Sequence, residues 1–244
     1  EFELPQMKED EVLVKVMSDS ICMSTYKLVA QGKKHKRAPQ NIDTNPVIVG
    51  HECSGIIVEV GEKWKNQFRP GQKFSLQPAL NYLGKLDSPG YSYEFCGGAC
   101  TYCIMPHEVM ELGCLLDYTG ESFFEASLGE PMSCIIGGYH ANYHTNKKNY
   151  GHAMGTKEDG NILIMGGCGP MGLGAVSYGL QFENKPRRIV VTDISDDRIQ
   201  RAREVISEES AKKRGIELRY VNTAAMEDPV AELMAITEGH GYDD

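Results

Sequence analysis

The first half of the chain carries short runs in which apolar and polar residues alternate, the pattern of half-buried β-strands. Such runs span Glu11 to Met17, Ser54 to Val60, Gln72 to Leu76 and Cys100 to Met105. Turns that contain glycine or proline separate them, and a basic loop over Gln31 to Gln40 lies between the first two. Short strands divided by such turns predict an irregular β-barrel or sandwich.

The pattern changes near Gly120, where apolar residues take on helical spacing. After Gly160 the chain alternates between strands and helices, with strands near Asn161, Arg188 and Glu217. A last helix is predicted from about Asp228 to Thr237. This order indicates βαβ units on a parallel sheet. We therefore predict an α/β protein with a β-barrel domain over residues 1–131 and a doubly wound domain over residues 132–244.

A glycine-rich turn follows the apolar run Asn161 to Met165 and precedes a helix over about Pro170 to Leu180. Its G-x-G-x-x-G pattern provides a tight turn, a close approach of backbone to a pyrophosphate, and close packing of helix on strand. The residues expected to bind a dinucleotide here are Gly167, Gly169, Pro170, Met171 and Gly172. The alternative is a glycine-rich turn in an unrelated α/β protein.

The next strand ends in Asp193, 21 residues past Gly172. Dinucleotide-binding folds place an acid at this distance to bind the ribose hydroxyls. Because a carboxylate repels a ribose phosphate, NAD is favoured over NADP. Arg198 lies close enough in sequence to act on the same ribose.

Composition narrows the class of protein. The 244 residues carry a net charge of −9 and 41% hydrophobic residues, which argues against a nucleic-acid binder and against general disorder. The longest apolar stretch, Gly160 to Leu180, is rich in glycine and does not predict a membrane span. Eight cysteines without a secretory signal indicate a reducing, cytoplasmic compartment. The chain lacks an initial Met and ends at Asp244 without a finished element, so we expect a fragment with half of the doubly wound domain.

Candidate metal ligands occur at three places: Cys22 in ICMSTYK, His51 and Glu52 in PVIVGHECSG, and Glu130 in LGEPMSC. Taken singly, they fit a buried thiol, a core histidine and a helix-terminal acid. Their joint order ahead of the glycine-rich turn resembles the zinc-dependent medium-chain alcohol and polyol dehydrogenases. GYSYEF adds a resemblance to the L-sorbose-1-phosphate reductase-like branch.

The resemblance implies a GroES-like catalytic domain and a Rossmann domain. It implies that Cys22 and His51 bind one catalytic zinc ion with an acid from Glu52 or Glu130. It also implies that Ser24 passes the alcohol proton away from the metal. Many members have a histidine where this chain has Lys27, and the lysine is expected to relay protons, to bind a substrate phosphate or to be solvated.

A second, structural zinc site is not expected. Many members hold one through four cysteines, but the spacing of Cys96, Cys100, Cys103 and Cys114 differs from theirs. Cys100 and Cys103 are expected on one strand, three residues apart, so their side chains are predicted to point to opposite faces.

The function expected is hydride transfer between NAD(H) and a secondary alcohol or ketone, with a polyol, sugar or sugar phosphate as substrate. The phosphate is suggested by Lys27 and the cations between Lys33 and Arg37, which also fit a solvated charge run. The alternatives are a zinc-free quinone or enoyl reductase of the same superfamily and a non-catalytic binding protein. We expect a homodimer or homotetramer, and no nucleic-acid or membrane partner.

Overall fold

The computed structural model describes residues 3–146 and 148–244. The chain divides into two compact units, Glu1–Pro131 and Met132–Asp244. Each unit has its own hydrophobic core.

The first unit is built on a five-stranded antiparallel sheet in the order β4-β1-β2-β3-β5. Its strands are β1 (Val12–Asp19), β2 (Cys53–Val60), β3 (Lys73–Leu76), β4 (Tyr102–Met105) and β5 (Leu115–Asp117). Its helices are α1 (Met23–Gln31), α2 (His107–Glu111) and α3 (Phe123–Ser127). Alternate strand residues fill the core, which includes Val12, Val14, Ile57, Phe74 and Met105.

Helix α4 (Gly129–Ala141) leads into the second unit, where β6 (Tyr143–Thr145) and β7 (His152–Met154) form a small antiparallel hairpin. A three-stranded parallel sheet follows, with β8 (Asn161–Ile164), β9 (Arg188–Asp193) and β10 (Glu217–Asn222) in the order β10-β9-β8. The helices are α5 (Pro170–Gly179), α6 (Asp196–Val205), α7 (Glu208–Lys213) and α8 (Pro229–Ile236). This strand order is that of the first half of a doubly wound dinucleotide fold.

The central strand β9 is buried along its whole length, as expected for a strand covered on both faces. Its one basic residue, Arg188, is compensated by an ion pair with Glu217 on the neighbouring strand, at 2.7 Å. The predicted order of elements is thereby confirmed: a unit built on an antiparallel sheet is followed by a parallel α/β unit.

The cysteine-rich segment differs from its sequence-based interpretation. Strand β4 begins at Tyr102, so Cys100 lies before the strand and the alternation of faces does not apply to it. Instead, the thiols of Cys100 and Cys103 lie close enough that each affects the pKa of the other, and Cys96 also lies close to Cys103. Cys114 lies apart from them, with its thiol 3.8 Å from the carbonyl of Leu112. The expectation that these two side chains diverge is wrong, while the expectation of no structural zinc stays a prediction.

Over the described residues, no helix combines the length and the apolar character that crossing a membrane requires.

Candidate metal centre and glycine-rich turn

The candidate metal ligands are brought together by the pairing of β1 with β2. Asp19 at the end of β1 lies opposite Cys53 at the start of β2. The residues just beyond this pair therefore meet: Cys22 follows β1, and His51 and Glu52 precede β2. A backbone hydrogen bond of 3.1 Å from Ser20 to the carbonyl of Glu52 extends the pairing past the strand ends.

Cys22, His51 and Glu52 form a group whose ligand atoms all lie within 4.8 Å of one another. In the part of the chain that the structure describes, one such group of three is found. His51 and Glu52 are buried, whereas Cys22 is partly exposed. A thiolate, an imidazole and a carboxylate form a donor set that suits zinc and leaves a fourth position open for catalysis. The residues therefore fit the metal that the sequence predicts.

Burial, together with the positive charge of Arg37, lowers the pKa of His51, although Glu52 acts in the opposite direction. The imidazole is therefore neutral at neutral pH, which is the form that binds a metal. Glu52 is held in place by the Ser20 hydroxyl, which donates to Oε2, and by its own backbone N–H, which donates to Asp19 Oδ1 at 3.1 Å. Burial raises the pKa of Asp19 to about 6, and the nearby Glu52 charge adds to the increase.

A network of hydroxyl groups surrounds His51. Ser24 Oγ lies 2.9 Å from Cys22 Sγ and 3.5 Å from His51 Nε2. Thr25 Oγ1 lies 3.3 Å from His51 Nδ1. The hydroxyl of Tyr91 donates to Ser24 Oγ at 2.7 Å and lies 3.4 Å from His51 Nε2. Because burial raises the pKa of Tyr91, its phenol keeps its proton at neutral pH.

Two further predicted site residues lie outside the group of three. Glu130 is in the first turn of α4 and near Tyr91, since its charge contributes to the raised pKa of that phenol. Lys27 is exposed on α1, and its charge reaches the imidazole of His35. The assignments of Glu130 as a metal ligand and of Lys27 as a relay stay predictions.

The glycine-rich turn joins β8 to α5 in the second unit. A side chain on Gly172 would collide with the backbone of Gly167, so the third glycine permits close packing of helix on strand. Gly167 itself is enclosed by Ile164 and Val191, 2.6 and 2.7 Å from where a Cβ would lie. Gly169, in contrast, has nothing within 4 Å of its would-be Cβ. This open space adjoins the N-terminus of α5, where Pro170 and Met171 form the first turn, and amides there favour an anion.

Asp193 ends β9 as a buried carboxylate. Its Oδ1 accepts hydrogen bonds from the backbone N–H groups of Ile194, at 2.8 Å, and Ser195, at 3.2 Å. The guanidinium of Arg198 lies 3.9 Å from the same oxygen. The two residues that the sequence singles out for the ribose are therefore neighbours.

The sequence does not reveal Tyr91, Thr25 or Asp19 as parts of the metal centre. Thr25 follows Ser24 on α1, so recognition of that helix is the signal that was available for it. Asp19 is the last residue of β1, two residues beyond the end of the predicted strand. Tyr91 comes from a distant loop, and no local pattern connects it to His51.

Comparison with known proteins gives a consistent picture. Residues 8–150 match the alcohol dehydrogenase GroES-like domain. The chain is 54% identical over 243 residues to mannitol-1-phosphate 5-dehydrogenase of Aliivibrio fischeri. This match covers 100% of this chain and 57% of that protein. It is 41% identical over 243 residues to L-sorbose 1-phosphate reductase of Klebsiella pneumoniae, covering 100% of this chain and 58% of that protein.

Among solved structures, 2R,3R-butanediol dehydrogenase of Bacillus subtilis superposes with a TM-score of 0.67 at 23% identity, covering 98% of this chain and 63% of that one. The chain thus spans a little over half the length of the curated relatives above. The domain match extends over more than half of the chain and includes Cys22, His51 and Glu52. The chain belongs to the alcohol dehydrogenase family with a GroES-like domain, among the zinc-type medium-chain polyol dehydrogenases.

Proposed function

We propose that the protein is a zinc-dependent oxidoreductase that transfers a hydride between NAD(H) and a secondary alcohol or ketone of the polyol or sugar class. The observation that carries this proposal is the convergence of Cys22, His51 and Glu52 within 4.8 Å. The resemblance to enzymes that are named for mannitol 1-phosphate and L-sorbose 1-phosphate supports a phosphorylated substrate.

Cys22 and His51 would hold the metal with one acid ligand. Glu52 is favoured for this role because it belongs to the group of three, and Glu130 is the alternative. A zinc ion bound there supplies Lewis acidity, which polarises a substrate oxygen and lowers the pKa of an alcohol.

Ser24 would accept the proton that leaves the substrate alcohol. Its Oγ lies 2.9 Å from Cys22 Sγ, and therefore beside the place where a bound alcohol meets the metal ligands. Because Tyr91 donates to Ser24 Oγ, the serine keeps its own hydrogen, which would pass to a water molecule as the serine takes up the proton of the alcohol. Thr25 would fix the ring of His51 through its contact to Nδ1, so Nε2, which lies 3.8 Å from Glu52 Oε1, would be the nitrogen that binds the metal.

The second unit would bind the dinucleotide. The pyrophosphate would lie over Gly169, where no atom lies within 4 Å of the position of a Cβ, and at the N-terminus of α5. Asp193 would accept hydrogen bonds from the ribose hydroxyls, which favours NAD over NADP. Arg198 would be a second contact to the same ribose. An assembly of two or four copies is part of the same proposal.

A zinc-free quinone or enoyl reductase is less favoured, because such chemistry does not need the three converging ligands. The test is a metal analysis of the purified whole protein, followed by assays with polyols and polyol phosphates using NAD and NADP. We expect about one zinc ion per chain and reduction of NAD in the presence of a polyol or its phosphate. Absence of bound metal together with quinone reduction would favour the alternative.

A further inference from the structure

The side chain of Arg37 lies beside the candidate metal centre, and part of its guanidinium group has no hydrogen-bond partner. The Nε atom of Arg37 is buried and has no hydrogen-bond partner. The guanidinium carbon lies 5.2 Å from the centre of the Tyr91 ring. Since the hydroxyl of that ring contacts Ser24 and His51, Arg37 is separated from the metal centre by a single aromatic side chain.

The backbone of Arg37 is held firmly in this position. Its carbonyl accepts a hydrogen bond of 2.8 Å from Ser92, the residue next to Tyr91. Its N–H donates to His35 Nδ1 at 3.3 Å, and the ring of His35 stacks on Tyr91 with centroids 5.5 Å apart. The loop that carries Arg37 is thus held in place by hydrogen bonds and by ring stacking.

The surroundings of His35 are strongly positive. Burial and the charges of Arg37, Lys36 and Lys27 all lower the pKa of this histidine. The neighbouring Lys33 differs, because it forms an ion pair of 3.0 Å with Asp43. Among the described residues, no ion pair within 4.0 Å compensates Arg37, so its charge is available to attract an anion.

We propose that Arg37 binds the phosphate group of a phosphorylated polyol or sugar and is the residue that distinguishes this substrate from the unphosphorylated one. The proposal rests on the proposed function for the position of the reacting alcohol, which lies at Cys22, His51 and Glu52. A guanidinium suits this task because its fork of N–H donors matches phosphate oxygens with two parallel hydrogen bonds. Lys36 and Lys27 add positive charge around the same anion.

The test compares a hexitol 1-phosphate with the free hexitol in the whole protein. In Arg37→Met, which keeps an aliphatic chain against Tyr91, we expect kcat/KM for the phosphate ester to fall roughly 10- to 100-fold, through KM. The ratio of kcat/KM for the phosphate ester to kcat/KM for the free hexitol should fall by a similar factor, because only the ester has the group that Arg37 binds. Arg37→Lys should lie between the two, since it keeps the charge but not the fork.

Lys33→Met is the matched control, because it removes a cation of the same loop that is already paired with Asp43. It should leave the preference for the phosphate ester unchanged. Equal losses for both substrates in Arg37→Met would overturn the proposal and show that Arg37 only supports Tyr91.

Calorimetric titration of the protein with hexitol 1-phosphate and with inorganic phosphate, in the absence of NAD, separates the two proposals. Binding that Arg37→Met abolishes would support the phosphate site even if the wild-type protein oxidised no polyol, in which case the proposed function alone would fail. Equal binding by both proteins, or no binding by the wild type, would overturn the phosphate site.

Discussion

At the scale of single residues, the metal centre depends on side chains whose positions are explained only by the group that they form together. Cys22 is the N-terminal capping residue of α1 but makes no side-chain capping hydrogen bond there. Its sulfur instead faces Ser24 and belongs to the group with His51 and Glu52. A soft ligand is thus placed where a helix terminus would ordinarily favour a serine or an aspartate.

Replacement of Cys22 tests this assignment. Cys22→Ala removes the charged, soft ligand while leaving the helix cap as it was, so zinc content should fall from about one ion per chain to nearly none. Metal analysis by mass spectrometry measures the change. Cys114→Ala is the control, because its thiol lies outside the group. Full zinc occupancy in Cys22→Ala would refute the site.

Asp193 provides the second prediction at this scale. Asp193→Ser removes an acceptor for the ribose hydroxyls. It also removes the carboxylate that lies 3.9 Å from Arg198, so that the guanidinium is available to a ribose phosphate. The ratio of kcat/KM values should shift toward NADP by tens of fold, on the order of 2 kcal/mol. Asp197→Ala, which removes an exposed charge from the first turn of α6, should leave the ratio unchanged. An unchanged ratio in Asp193→Ser would mean that another residue contacts the ribose.

At the scale of elements, the three glycines of the turn have different tasks. Gly172 is required because any side chain would strike the backbone of Gly167, whereas Gly169 is surrounded by open space. The same substitution should therefore damage packing at one position and ligand binding at the other.

Gly172→Ala should lower the free energy of unfolding by roughly 1–3 kcal/mol, as overpacking typically does. Gly169→Ala should leave the melting temperature nearly unchanged and weaken NAD binding, because its methyl group occupies the space that a pyrophosphate needs. Thermal melts and fluorescence titration with NADH measure the two effects. Equal losses of stability in the two variants would contradict this division of roles.

The strands that were predicted, β1 to β4 and β8 to β10, have strong apolar patterns, as in β9, which is buried throughout. The three-residue strands β5, β6 and β7 are too short to show such a pattern and were not predicted. Helix α1 was not, since Leu28 is its one buried residue while Val29 is mostly exposed, and no apolar stripe indicates a helix. The same weakness hid Thr25. The start of β4 was placed two residues early, which produced the wrong geometry for Cys100. Contacts such as Tyr91 with His51 depend on loop paths that no local pattern encodes.

At the scale of the whole molecule, the two proposed chemistries are divided between the two compact units. The three converging metal ligands belong to Glu1–Pro131, and the glycine-rich turn with Asp193 belongs to Met132–Asp244. The order of the ligand residues along the chain could be read from the sequence, but their convergence required the register of β1 on β2.

This division predicts where each ligand stabilises the protein. A ligand that binds only the native state, at a concentration of a hundred times its Kd, raises the free energy of any local unfolding that destroys its site by about 2.7 kcal/mol. Zinc restored to chelator-treated protein should therefore slow amide hydrogen exchange over residues 20–31 and 50–54. NAD should slow exchange over residues 164–176 and 191–198, where the glycine-rich turn and Asp193 lie. Exchange measured by mass spectrometry on the whole protein resolves these segments.

Cys22→Ala provides the decisive comparison for this experiment. It should abolish the protection that zinc gives to residues 20–31 and 50–54, since the ligand atoms of that group come from α1's cap and the residues before β2. It should leave the protection by NAD over residues 164–176 intact, because no cofactor contact proposed above comes from the first unit. Zinc-dependent protection that persists in Cys22→Ala would place the metal elsewhere. Loss of the NAD effect in the same variant would show that the dinucleotide site depends on the metal centre.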